Sequence, residues 1–243
     1  MKRIVVISPF RGFFRSIIYF LLGLIMALIS AGYFSHLFSI LGINKYTTAI
    51  IAILISFGSL FTSPFNLILA EIKKESIVVQ DDVVFFFGYP IFIPKVVRLS
   101  TNTLVAINFG GALIPVIVSL FFMYELRAFI IYFIIGIVII AIISKFFSRV
   151  IKGVGVVMHP IIPAFFSVLV SYIIFYKAHL LIPLSAYISS VLGTLIGADL
   201  FNLRKIINEA RPQIISIGGM GTFDGIFVSG IIAVFLSELF FIF

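Results

Sequence analysis

The sequence predicts an all-α polytopic membrane protein of about seven transmembrane helices, with a small cytoplasmic β-hairpin between the second and the third. Three observations predict it. Of the 243 residues, 62% are hydrophobic and 11% charged, with a mean hydropathy of +1.30; a soluble domain is roughly half apolar and about a quarter charged. Apolar runs near the ~20 residues that cross a bilayer recur along the whole chain. The 17 Lys and Arg residues gather in alternate loops, the arrangement that sets orientation in a membrane.

The first apolar run covers about 16–41, behind Lys2, Arg3, Arg11 and Arg15. A charged start and an apolar middle also describe a signal peptide, but the run is long enough to span and is read as an uncleaved first helix. The second span is expected over 47–69, with Pro64 kinking it and freeing a backbone carbonyl. Residues 71–101 break the pattern with eight charges, and their alternating Val, Ile and Phe runs around Gly88-Tyr89-Pro90 predict a β-hairpin outside the bilayer. Further spans are expected over 102–123, 128–143, 161–176, 183–203 and 219–239. The fourth is nearly uniform Ile and Phe and is expected to face lipid.

Counting alternate loops gives 14 basic residues on one side and 3 on the other, the three being Lys45, Arg127 and Lys177. The rule of cytoplasmic positive charge then places the N-terminus and the hairpin inside a cell membrane and the C-terminus outside. This distribution accounts for the formal net charge of +8 without a nucleic-acid partner. The lipid bilayer is the expected partner, together with a transmembrane peptide substrate or a small ion. No cysteine is present, and the three histidines have no ligand spacing, so no metal site is expected. No cofactor is expected, since no nucleotide loop or haem motif occurs. Oligomeric state is not legible.

Two acids stand out. Asp199 closes the sixth apolar run in Gly197-Ala198-Asp199-Leu200, and Asp224 opens the seventh in Gly221-Thr222-Phe223-Asp224-Gly225. Ionisable groups within a membrane are costly and are functional candidates by default. Asp199 precedes Arg204 by five residues, which places it roughly 7 Å below the cytoplasmic face at 1.5 Å per residue, and Asp224 lies at a similar depth. Asn108, Gly110 and Gly111 of the third span, Asn202, and Gly197, Gly219, Gly221, Thr222 and Gly225 around the acids are the candidate binding residues. Irregular backbone at one depth is tolerated where it lines a cavity, so a polar cavity open to the cytoplasm is expected.

The motifs Asn108-Phe109-Gly110-Gly111-Ala112-Leu113-Ile114-Pro115, Gly197-Ala198-Asp199-Leu200 and Gly221-Thr222-Phe223-Asp224-Gly225 resemble a prokaryotic membrane family known as domain of unknown function 1614. The resemblance covers most of the chain from about residue 75 and implies no particular activity. A weaker resemblance is to the intramembrane aspartyl proteases of the presenilin and prepilin-peptidase group. It implies catalytic roles for Asp199 and Asp224. The Gly-x-Gly-Asp motif of those enzymes is here stretched to Gly219-Met220-Gly221-Thr222-Phe223-Asp224, and their Pro-Ala-Leu motif is missing.

Three readings of the acids stay open on the sequence. As a catalytic dyad, one carboxylate activates water while its protonated neighbour polarises a peptide carbonyl. As a transport site, the acids and asparagines supply oxygen ligands at interrupted helices. As structural groups, Asp224 caps the seventh helix and Asp199 pairs with Arg204, Lys205 or Asn108.

Overall fold

The computed structural model describes residues 3–7, 13–86, 89–151, 155–210, 213–219 and 225–242, with 13, 15, 73–101, 209–210 and 241–242 described by backbone alone. The chain begins with strand β1 (Ile4–Val6), followed by helices α1 (Phe13–Ile40) and α2 (Lys45–Thr62). Strands β2 (Phe65–Phe86) and β3 (Tyr89–Asn108) come next, then a π turn (Phe109–Leu113) that runs straight into α3 (Ile114–Glu125). After α4 (Ile130–Phe147), the short strands β4 (Arg149–Ile151) and β5 (Gly155–Val157) pair with each other ahead of α5 (Ile161–Ile174). The chain closes with α6 (Ile182–Thr194), a second π turn (Leu195–Leu200), the single turn α7 (Leu203–Lys205), a third π turn (Ile206–Ala210), β6 (Ile214–Ile217) and α8 (Gly225–Ile242).

Among the described residues, four helical stretches are long and apolar enough to cross a membrane: Ser16–Ile40, Lys45–Thr62, Arg127–Phe147 and His179–Asn208. Three further apolar helices, Phe109–Glu125, Ile161–Ile174 and Gly225–Phe240, are shorter. The centre of the bundle is α6, buried at every residue from Ile182 to Thr194. Helices α3, α4, α5 and α8 pack around it, and α1 and α2 form a hairpin alongside. Helix α6 carries no charged side chain, so burying it on all sides strands no ion. Contrary to the expectation of a purely lipid-facing fourth span, α4 is two-sided. Phe133, Gly136, Ile137, Ile140 and Ala141 are buried, while Ile131, Val138 and Ile142 are more than half exposed.

Strands β1, β2, β3 and β6 form one sheet in the order β1-β2-β3-β6, separate from the β4–β5 pair, with β1, β2 and β3 antiparallel in turn and β6 parallel to β3. The register sets Asn66 opposite Asn108, and Ile107 opposite Ile217. This corrects two expected spans. Residues 65–69 and 102–108, expected to be helical, are strands: α2 ends at Thr62 and the third helical segment starts at Phe109. Pro64 does not kink a continuing helix. It follows the end of one, and its carbonyl accepts from Ile7 N (2.9 Å) and from Asn66 Nδ2 (3.2 Å). Strand pairing satisfies these backbone groups as fully as a helix does, so the β2–β3 ladder runs well past 71–101, from Asn66 to Asn108.

The sheet marks one end of the bundle. There the chain leaves α2, enters α3 from β3, and passes through β6 toward α8. The C-terminal ends of α4 and of the α6 segment meet at this end too, where Lys145 Nζ donates to Phe201 O at 3.0 Å. At the far end, α1 and α8 are joined by His36 Nδ1 and Glu238 Oε1, 2.5 Å apart. Tyr172 OH of α5 also donates to Ser237 O of α8, at 3.4 Å.

Candidate functional site

Asp199 lies in the π turn that ends the α6 segment. Such turns widen the helix by one residue and recur at functional sites. The side chain is half-buried, and its Oδ2 accepts from the backbone N–H of Gly218 at 3.2 Å. That N–H is presented by a sharp turn after β6. Gly218 has φ of +81°, a region open chiefly to glycine, and a Cβ there would sit 2.3 Å from the Ala112 Cβ.

Asp199 lines a cavity of about 60 Å³ with Val156, Met158, Pro160, Thr194, Ala198, Gly225 and Ile226. The volume admits a few water molecules and no extended peptide. Pro160 caps the start of α5 and Gly225 starts α8, so two helix N-termini border the space. Their partial positive charge complements an acidic side chain. Thr194 is 4% exposed, and its Oγ1 has no hydrogen-bond partner among the described residues. Sequence reasoning missed this threonine. Its only signal is a hydroxyl in an apolar run, five positions before Asp199.

The asparagines form a second polar centre, between the end of α2 and the start of the third helical segment. Asn108 is fully buried. Its Nδ2 donates to Ser63 O (2.6 Å) and Asn66 Oδ1 (3.2 Å), and its Oδ1 accepts from Gly111 N (2.7 Å). The carbonyl and N–H partners fix which way this amide points. Ser216 of β6 has two acceptors facing its one hydroxyl proton, Asn66 Oδ1 (2.5 Å) and Gly219 O. Gly110 lies against α2, its carbonyl accepting from Ser59 Oγ at 2.5 Å. Here Asn108, Gly110, Gly111 and Gly219 act on one another and on neighbouring backbone.

Asn202 belongs to a third group. Its Nδ2 donates to Ser148 Oγ (2.7 Å) and Ala198 O (2.8 Å), and its Oδ1 accepts from Lys145 Nζ. Gly197 lies in the α4 contact, where a Cβ would meet Ala141 O at 2.1 Å. Of the expected site residues, then, Asp199 and Gly225 share the cavity, and Asn108, Gly110, Gly111 and Gly219 share the asparagine centre. Gly221, Thr222 and Asp224 lie outside the described residues. No cluster of three or more metal-ligating His, Cys, Asp or Glu occurs among the described residues.

The family model described as protein of unknown function (DUF1614) matches residues 60–236. The chain belongs to that family. The DUF1614 match runs from the end of α2 into α8 and contains the cavity, the asparagine centre and the whole sheet except β1. No curated protein and no solved structure matches the chain. Nothing in these comparisons supports the resemblance to aspartyl proteases.

Proposed function

We propose that this DUF1614 protein is a proton- or ion-coupled membrane transporter whose coupling group is Asp199. The observation that carries the reading is the cavity beside Asp199, lined also by Thr194, whose buried hydroxyl has no partner among the described residues, with a π turn interrupting the helix there. Transporters build their sites at broken helices bordered by helix N-termini, and an acid within a membrane segment is costly enough to need a purpose. A peptidase reading of the same acid asks for room for an extended substrate, which about 60 Å³ does not provide. Asp224 precedes Gly225 in sequence, and Gly225 lines this cavity. On this reading the two acids act together.

The membrane arrangement proposed with it has all seven apolar helices crossing, with the N-terminus and the sheet in the cytoplasm. Counting alternate loops along the sequence assigns 14 of the 17 basic residues to this side. A reporter fused after Phe243 is then active only outside the cytoplasm, and one inserted between Phe86 and Tyr89 only inside. Cytoplasmic activity at both positions removes the seven-span arrangement.

The functional test uses the full chain in liposomes holding a trapped pH dye. The wild type dissipates an imposed pH gradient when Na+, K+ or chloride is offered as the exchanged species, and Asp199→Asn lowers that rate at least ~10-fold while remaining folded, as expected of a group that exchanges protons. A wild type no faster than empty liposomes, or an Asp199→Asn variant as fast as the wild type, overturns the reading.

A further inference from the structure

Helix α6 carries five hydroxyl side chains within thirteen buried residues: Ser185, Tyr187, Ser189, Ser190 and Thr194. They divide into two faces. At 100° per residue, Ser185 and Ser189 fall about 160–200° from Tyr187, whereas Ser190 and Thr194 fall within about 60° of it. The first face is satisfied: Ser171 Oγ of α5 donates to Ser185 Oγ at 2.9 Å, and Ser189 Oγ donates to Ser185 O at 2.6 Å. The second face is not. Tyr187 OH, Ser190 Oγ and Thr194 Oγ1 are each buried with no hydrogen-bond partner among the described residues.

One orphaned hydroxyl in a packed interior is destabilising; three on one face of one helix form a pattern. The pattern has a direction, since Thr194, at one end of it, is among the residues lining the Asp199 cavity. Tyr187 lies five residues from the opposite end of α6, roughly 7 Å at 1.5 Å per residue. There, near the middle of the helix, its ring packs edge-on against Phe34 (centroids 5.5 Å apart) and Phe122 (6.0 Å), and Phe227 lies 6.1 Å from Phe34.

We infer that this face of α6 is a water-bridged proton path, running from the Asp199 cavity through Thr194 and Ser190 to Tyr187 and closed at the far end by the rings of Phe34 and Phe122. The inference rests on the transport reading and names its coupling species. Side chains three and four positions apart on a helix stand about 5–6 Å from one another. That is the span one water bridges, accepting from one oxygen and donating to the next at about 2.8 Å each, once the packed side chains part to admit it. Along such a chain each oxygen accepts a proton from one side and releases its own to the other, so charge moves with no net change in any group. A metal cation fits less well. Hard cations take roughly six oxygen ligands, and the cavity's described side chains offer oxygens only from Asp199 and Thr194.

The test compares Tyr187→Phe, Ser190→Ala and Thr194→Val, singly and together, with Ser185→Ala and Ser189→Ala on the bonded face, in the full chain in liposomes. These hydroxyls bond no described protein group, so each variant is expected to keep its thermal midpoint in detergent, and a loss of proton flux at an unchanged midpoint is not a loss of fold. The triple variant is expected to carry protons at least ~10-fold more slowly than the wild type, an effect of about 1.4 kcal/mol or more on the barrier, while the bonded-face variants match it. The chain has no cysteine, so a second measurement is clean: Ser190→Cys and Thr194→Cys should react with a small water-soluble methanethiosulfonate, and Ser189→Cys should not. Full flux in the triple variant beside a dead Asp199→Asn overturns the path and leaves the transport reading standing. So does Na+ movement independent of pH. Flux from no form of the protein, wild type included, overturns both.

Discussion

Gly110→Ala is expected to cost about 3 kcal/mol of stability or more, at the upper end of what overpacking does, and to leave little folded protein. The added methyl would sit 2.0 Å from Ser59 O and 2.8 Å from Ser63 N, both backbone atoms of the α2 segment. A flexible side chain could turn aside, but these atoms cannot. The Ser59 hydroxyl already holds Gly110 O, and Asn108 holds Ser63 O, so relieving the clash breaks bonds in a buried polar cluster. Gly197→Ala is a second instance, with its methyl 2.1 Å from Ala141 O at the α4 contact. Gly32→Ala is the control. Nothing lies within 4 Å of its new Cβ, and alanine gains roughly 0.5–1 kcal/mol over glycine inside a helix. Unfolding midpoints in detergent should therefore fall in the order Gly32→Ala, wild type, Gly110→Ala. Equal midpoints for the two variants would remove the claim that the π turn is wedged onto α2.

That wedge shows what a sequence can and cannot disclose. The motif around Asn108-Phe109-Gly110-Gly111 is visible as an amide and paired glycines in an apolar run, and close approach is a fair expectation. What they approach is not visible, because Ser59 lies 51 positions away and the contact exists only once β2 and β3 have paired. The same reason hid the boundaries of two helical segments. Phe65–Ala70 and Leu104–Ile107 are short apolar runs, and such runs read equally as buried strand or as the continuation of a buried helix. Their pairing with β1 and with the distant β6 decides the matter. Asp199 was legible as a costly acid, and Gly225 as a neighbour of the site. Its other partners come from tertiary placement: Gly218 after β6, Pro160 before α5, and Thr194 one turn back on its own helix.

The asparagine centre supports a final prediction, in which two similar substitutions have the same severe outcome for different reasons. Asn108→Ala removes one side chain and leaves Ser63 O, Gly111 N and Asn66 Oδ1 each short of a bond. Asn66 Oδ1 keeps the Ser216 hydroxyl, each buried bond lost costs roughly 0.5–3 kcal/mol, and single substitutions rarely exceed ~5 kcal/mol, so a loss of ~2–4 kcal/mol is expected. Asn108→Asp keeps the shape and keeps an acceptor for Gly111 N. It loses the donor, however, and turns a carboxylate oxygen toward the Ser63 and Asn66 oxygens in a fully buried site, where an unpaired charge is costly. The aspartate variant should therefore be no more stable than the alanine variant. Combining Asn108→Ala with Asn66→Ala should cost less than the two separate losses added together, by at least ~0.5 kcal/mol, because the residues share a bond. If aspartate rescues most of what alanine loses, only the Gly111 cap matters. If the double variant is additive, the two asparagines are independent supports, and the sheet is not tied to the helices through a shared amide pair.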